Sequence, residues 1–103
     1  MKEIAGGVTS AKGCEAAGAE AAVKYKNRKD MALVYSIAPC KVAGTFTTNV
    51  VKAAPVLWDK QVVETSAFAQ AVVVNSGIAN ACTGKPGMDC CKAEAEHAGK
   101  LLG

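Results

Sequence analysis

The sequence is poor in aromatics, in histidine and in long apolar runs. Phe, Trp and Tyr together supply 5% of the 103 residues, although half of the chain is hydrophobic. Ala and Val make up most of that apolar content, and a core of small side chains gains little burial energy per residue. No run approaches the roughly 18 apolar residues that cross a bilayer. Met1–Gly7 also lacks the apolar core of a signal peptide. The five cysteines (Cys14, Cys40, Cys82, Cys90 and Cys91) are odd in number and irregular in spacing. That pattern argues against a secreted disulfide framework and fits reduced thiols in a cytoplasmic protein. Charge of one sign is lacking too. The net charge of +3 is scattered, with a mean hydropathy of +0.16. The densest basic stretch, Lys24–Lys29, holds Tyr25 but no interleaved aromatic series, so it reads as a solvated turn and not as a nucleic-acid site.

Several catalytic signatures are missing as well. A phosphate-binding loop from Gly77 needs glycine at position 82, where Cys82 stands; Gly84-Lys85 is followed by Pro86, which has no hydroxyl for magnesium. No G-x-G-x-x-G follows a strand, and there is no G-x-S-x-G elbow. On a helix, the only histidine, His97, shares a face with Cys90 and Glu94. Such a trio can bind a metal, but Glu and His on a helix are more often surface residues. Cys82 can be a nucleophile or a plain loop residue; no histidine or carboxylate is pinned near it in sequence.

What is present is a chain of alternating strand and helix patterns, with no internal repeat and no linker. Its length limits it to one domain, residues 1–103. Gly6–Gly13 reads as a loop. Cys14–Lys24 is Ala-rich, and propensity alone makes it helical, although Gly18 and Val23 argue weakly against that. Asn27–Asp30 is a charged turn. Met31–Ser36 is a strand candidate that Pro39 should end. Val42–Asn49 is rich in β-branched and aromatic residues and reads as another strand. A helix should start at Ala53-Ala54-Pro55, with Pro55 where its missing N–H costs nothing, and run to about Thr65. Val56, Val63 and Leu57 would face a sheet, with Trp58 packing at the edge.

Ala71–Val74 is a wholly apolar strand, expected to be buried. It breaks into Asn75-Ser76-Gly77-Ile78-Ala79-Asn80-Ala81-Cys82-Thr83-Gly84. A buried strand feeding a polar turn presents main-chain N–H groups to a ligand; it is equally how an ordinary strand-to-helix connection looks. After a turn at Thr83–Gly87 a last helix begins near Met88 or Asp89. Met88, Cys91, Ala95, Ala98 and Leu102 recur at spacings of three and four. Lys92, Glu96 and Lys100 form its outer face, and Gly103 can cap it.

These segments, taken together, resemble the N-terminal part of the ornithine acetyltransferase family, the bifunctional glutamate N-acetyltransferases of arginine biosynthesis. The matching runs are Gly6–Gly13, Ala16–Gly18, Lys29–Val34, Ala43–Asn49, Ala53–Val56 and Val73–Gly77 continuing to Asn80–Gly84. Each is weak alone, but the ordered set is specific. The resemblance implies an α/β chain, part of a layered α/β/β/α sandwich with an N-terminal-nucleophile-like arrangement. It favours a strand, not a helix, for Cys14–Lys24. It further implies acetyl transfer from N-acetylornithine to glutamate through a threonine acyl-enzyme. That threonine is freed by self-cleavage at an Ala-Thr junction. None of the six threonines here follows an alanine, so the nucleophile is expected outside these residues, and the chain alone is expected to be inactive. Thr83 and Gly84 match the family's oxyanion-hole pair. Ile78 stands where the family usually has Asn. No metal or resident cofactor is implied, with acetyl-CoA a possible second acetyl donor. The implied partners are the remainder of the α chain and a β chain, in an α2β2 heterotetramer, with small amino-acid substrates, no nucleic acid and no membrane. The alternative reading is a stand-alone, non-catalytic α/β module that binds a partner or small ligand.

Overall fold

A computed structural model describes residues 1–103. In order it contains a short 3-10 turn at Val8–Ser10, strands β1 (Cys14–Ala19) and β2 (Met31–Lys41), helix α1 (Ala54–Thr65), strand β3 (Phe68–Asn75) and helix α2 (Gly84–Leu102). It is an α/β chain, as expected. Its backbone divides into two compact units. One is Met1–Cys40 with Ala69–Gly77; the other is Lys41–Phe68 with Ile78–Gly103.

The first unit is a three-stranded sheet in the order β1-β2-β3. β1 pairs antiparallel with β2, from Cys14 opposite Ser36 to Ala19 opposite Met31. Residues 14–19 are thus a strand despite their alanines, because the ladder to β2 outweighs an intrinsic helix preference that Gly18 already weakens. β2 continues past Pro39, contrary to expectation. The pairing with β1 stops at Ser36, so the N–H that Pro39 lacks is not needed for that ladder. The turn before β2 is built on Asp30, which is buried. Its carboxylate accepts the N–H groups of Ala21 and Val23, each at 2.7 Å. Its backbone N–H donates to Ala19 O at 3.1 Å, and its carbonyl accepts Ser76 N–H at 2.9 Å. The basic stretch is exposed, with the charged ends of Lys24 and Arg28 about the Tyr25 ring at 5.3 and 4.8 Å.

β3 departs from expectation in its burial. Val72 and Val74 are 59% and 50% exposed, and Phe68, on the same face, is 53% exposed. Val73 on the other face is half-buried. A strand apolar on both faces belongs between two layers, and only one of its faces is partly covered here.

The second unit packs α1 against α2. α1 begins after Ala53 in extended backbone, with Pro55 in its first turn, as its sequence requires. Val56, Trp58 and Val63 are half-buried, whereas Leu57 is exposed. On α2 the apolar set Met88, Cys91, Ala95, Ala98 and Leu102 forms the covered face, with Cys91 buried. The outer-face ion pair joins Lys92 to Glu96 at 3.9 Å. Two expectations fail in this unit. Val42–Asn49 forms no strand, because β propensity needs a neighbouring backbone and none pairs with it. α2 starts at Gly84, not near Met88. Pro86 interrupts nothing, since it lies in the first turn, where N–H groups have no intrahelical partner.

Candidate functional site

The turn leading into α2 takes an unusual path. Asn80, Cys82 and Gly84 all have left-handed φ, at +50°, +57° and +61°. Asn tolerates this region because its short polar side chain bonds locally, and Gly84 has no Cβ to clash. This curl brings the Asn80 side chain over the first turns of α2.

Asn80 then bonds in three directions. Its backbone carbonyl accepts Ala54 N–H at 3.1 Å, tying the start of α1 to the turn. Its Nδ2 donates to Gly87 O at 2.9 Å and to Cys91 Sγ at 3.2 Å. Its Oδ1 accepts the Thr83 hydroxyl, which also lies 3.3 Å from the Asn80 carbonyl. Thr83 precedes the first helical residue, yet its hydroxyl makes no capping bond to α2; it turns back and closes the preceding turn. Gly87 is buried directly beneath. A methyl there would overlap Thr83 Oγ1 and Asn80 Oδ1, so the close packing of these two oxygens depends on glycine at 87.

Gly84 opens α2 beside Thr83, and the N–H groups of a helix's first turn lack intrahelical partners. Together with the helix dipole they favour negative charge at this end. Next to them is a hollow of about 160 Å³, lined by Lys52, Ala54 and Leu57, by Cys82, Thr83 and Gly84, and by Met88. Burial pushes the Cys91 thiol above its ordinary value, opposed by the Asn80 amide and reinforced by the Glu94 charge. Asp59 on α1 is likewise raised by burial.

Thr83 and Gly84, adjacent in sequence, lie at the start of α2 and line the hollow. The structure leaves the metal trio without support, since no three His, Cys, Asp or Glu side chains are grouped closely enough to hold an ion. Cys82 is exposed and lines the hollow. His97 lies fourteen positions beyond Thr83 on the same helix, about 21 Å along its axis at ~1.5 Å per residue, so it is no base for either residue within this chain. Ile78, at the position where the resemblance implies Asn, is exposed. Asn80 and Gly87 were not singled out by sequence reasoning. The signal lay in spacing: Thr83, Gly87 and Cys91 recur every four residues on one helix face, and Asn80 sits one turn before them.

The pattern that defines the ArgJ family matches residues 15–103. The chain belongs to the ArgJ family. It is 52% identical over 97 residues to the arginine biosynthesis bifunctional protein ArgJ of Streptomyces coelicolor, covering 93% of this chain and 25% of that protein. The ArgJ crystal structure from Bacillus halodurans superposes with a TM-score of 0.76 at 45% identity, over 82% of this chain and 44% of that one. The ornithine acetyltransferase of Mycobacterium tuberculosis, crystallised with ornithine, gives 0.75 at 50% identity, over 81% and 43%. The fold is thus that of an ornithine acetyltransferase fragment, and the chain spans about a quarter of the length of the curated relatives it matches. No helix is long and apolar enough to cross a membrane.

Proposed function

We propose that these residues are the N-terminal part of a glutamate N-acetyltransferase, in which Thr83 and Gly84 form the oxyanion hole. The observation that carries this is that Thr83 and Gly84 adjoin at the start of α2 and both line one hollow, in a chain of this family. The nucleophile is a threonine outside these residues. Its oxygen attacks the acetyl carbonyl of N-acetylornithine, and the carbonyl oxygen becomes an anion. Collapse releases ornithine, whose amine takes up the proton that the threonine hydroxyl gives up, and leaves an acetyl ester. The glutamate amine then attacks that ester, gives up a proton to the departing threonine oxygen, and so restores the hydroxyl. Both attacks place negative charge on the same oxygen, and donors fixed there stabilise it. The remainder of the α chain and a β chain complete the enzyme as an α2β2 assembly in the cytoplasm. No resident cofactor takes part in this reading.

Thr83→Ala in the full-length enzyme tests this reading. The expected result is a fall in kcat of about 10²–10³, or ~3–4 kcal/mol, with KM little changed, because the donor acts on charge that develops in the transition state. Thr83→Ser keeps the hydroxyl and should lose far less. Normal kcat with a lowered melting temperature would remove Thr83 from the site. It would leave the residue only its turn-closing bond, worth about 1 kcal/mol.

A further inference from the structure

We propose that Asn80 is a positioning residue that sets the Thr83 hydroxyl and makes it a donor selective for the charged oxygen. The proposal rests on the oxyanion role given to Thr83 above.

The orientation of the Asn80 amide follows from its neighbours. The Gly87 carbonyl can only accept, and it lies 2.9 Å from one end of the amide, so that end must be Nδ2. The other end is therefore Oδ1, and it faces the Thr83 oxygen. Oδ1 can only accept, so the Thr83 hydroxyl must donate to it. A hydroxyl has one proton, and here that proton is held by Asn80. The amide itself cannot turn freely, since Nδ2 also contacts Cys91 Sγ and the Asn80 carbonyl holds Ala54 N–H. Gly87 keeps the space that lets the two oxygens meet.

This arrangement discriminates between two states of the substrate. A neutral acyl oxygen is no better an acceptor than the Asn80 amide oxygen, so the proton stays where it is. An oxyanion accepts a hydrogen bond roughly twice as strong as a neutral one does. As charge develops, the proton swings about the Cβ–Oγ1 bond of Thr83 to the oxyanion, and no heavy atom moves. No covalent bond forms or breaks in that swing. The interaction is thereby withheld from the ground state and made in the transition state, which is the condition for raising kcat.

The test uses the full-length enzyme and a double-mutant cycle. Asn80→Gly deletes the side chain and keeps a backbone at home at φ +50°. The expected result is a fall in kcat of about 10- to 100-fold together with a lowered KM, because the freed hydroxyl then also bonds the neutral acyl oxygen of the ground state. In a Thr83→Ala background the same substitution should cause no further fall, because Asn80 acts through Thr83. Equal losses in both backgrounds would overturn the proposal and leave Asn80 a structural residue, as would an Asn80→Gly enzyme of normal kcat. If Asn80→Gly does not fold, Gly87→Ala forces Thr83 Oγ1 and Asn80 Oδ1 apart, since its methyl would overlap both. It should lower kcat by a similar factor, and unchanged kcat there would equally overturn the proposal. The two readings fail separately. A normal kcat for Thr83→Ala defeats the oxyanion assignment, whereas a crippled Thr83→Ala beside a normal Asn80→Gly defeats only the positioning role.

Discussion

Two glycines on α2 offer a controlled comparison. Gly87 is buried, and a Cβ built on it would overlap Thr83 Oγ1 and Asn80 Oδ1 and approach Thr83 Cβ to 2.7 Å. Gly99 is on the same helix, and a Cβ there would meet nothing within 4 Å. Alanine is favoured over glycine in a helix by about 1 kcal/mol, and that gain is available at both positions. At Gly99 nothing opposes it, so Gly99→Ala should be neutral or stabilising by up to ~1 kcal/mol. At Gly87 the neighbours must move. Thr83 Cβ is held by its own backbone, and Asn80 is bonded through both ends of its amide and through its carbonyl. Overpacking of this kind costs about 1–3 kcal/mol, and loss of the Thr83–Asn80 bond adds about 1 kcal/mol. After the propensity gain, Gly87→Ala should destabilise by about 1–3 kcal/mol.

Thermal melting of the two variants in the full-length enzyme reads this difference, at about 2–4 °C per kcal/mol for domains somewhat larger than this chain. The expected pattern is a clear drop for Gly87→Ala and none for Gly99→Ala. A Gly87→Ala enzyme as stable as Gly99→Ala would show that Thr83 and Asn80 are not packed against Gly87, and the cluster at the start of α2 would have to be abandoned.

Asp30 makes an acid-linked prediction. The N–H of Ala21 first, and then that of Val23, hold its carboxyl below the usual carboxylate value of 3.8. Its stabilisation is therefore complete above that value and is lost as the pH falls through the folded-state value, where the native carboxylate finally takes a proton. The fall in melting temperature between about pH 5 and pH 3 should be smaller in Asp30→Asn, which has no such charge to lose; an identical acid profile would refute the role. Cys91 behaves oppositely. Because burial raises its pKa, the folded thiol keeps its proton while the unfolded one ionises, and its contribution declines as the pH rises through the ordinary 9.0. At about pH 8, limited alkylation should modify the exposed Cys82 and Cys90 before Cys91, and early labelling of Cys91 would contradict the packing described.

What was legible in the sequence follows from the range of the interactions involved. α1 and the inner face of α2 were readable because their signals are local: a proline in the first turn, and apolar residues at spacings of three and four. β1 was not readable from propensity. Its six residues are extended because β2 lies beside them, and only the family resemblance carried that information. The opposite error arose at Val42–Asn49, where strand-forming residues have no neighbouring strand and so form none. Thr83–Gly87 was read as a turn and the start of α2 placed too late, because a proline such as Pro86 suits a helix's first turn as well as the loop before it. The Thr83-Gly84 pair was marked out only by the family resemblance. The bonds of Asn80 were not legible, because they depend on a left-handed turn that brings positions 80, 83, 87 and 91 onto one line. Asp30 looked like part of a charged turn for the same reason, since its partners at 21 and 23 are backbone groups with no sequence signature.

Residues 1–103 by themselves leave most of their large apolar side chains at least partly uncovered. Ala54 and Cys91 are the only buried hydrophobic residues, and no side chain is buried completely. Burying one large aliphatic or aromatic side chain fully is worth about 1.5–3 kcal/mol, against a backbone ordering cost of about 1–2 kcal/mol per residue. The face of β3 carrying Phe68, Val72 and Val74 is where the deficit is most evident, since all three are at least half exposed. The rest of a full-length relative, about three quarters of its length, is available to cover such a face. Residues 1–103 alone should therefore associate, and sedimentation at tens of micromolar should show oligomers or aggregate. Val72→Lys separates this surface from general instability. It should make the isolated chain less prone to associate, because it breaks the apolar face with a charge. In the full-length enzyme it should destabilise, because a lysine without a partner is then enclosed, and a buried uncompensated charge costs about 3–5 kcal/mol. A compact, monodisperse monomer of the unmodified chain would refute the first expectation. A full-length Val72→Lys enzyme of undiminished stability would refute the second, since it would show the β3 face open to water in the complete protein as well.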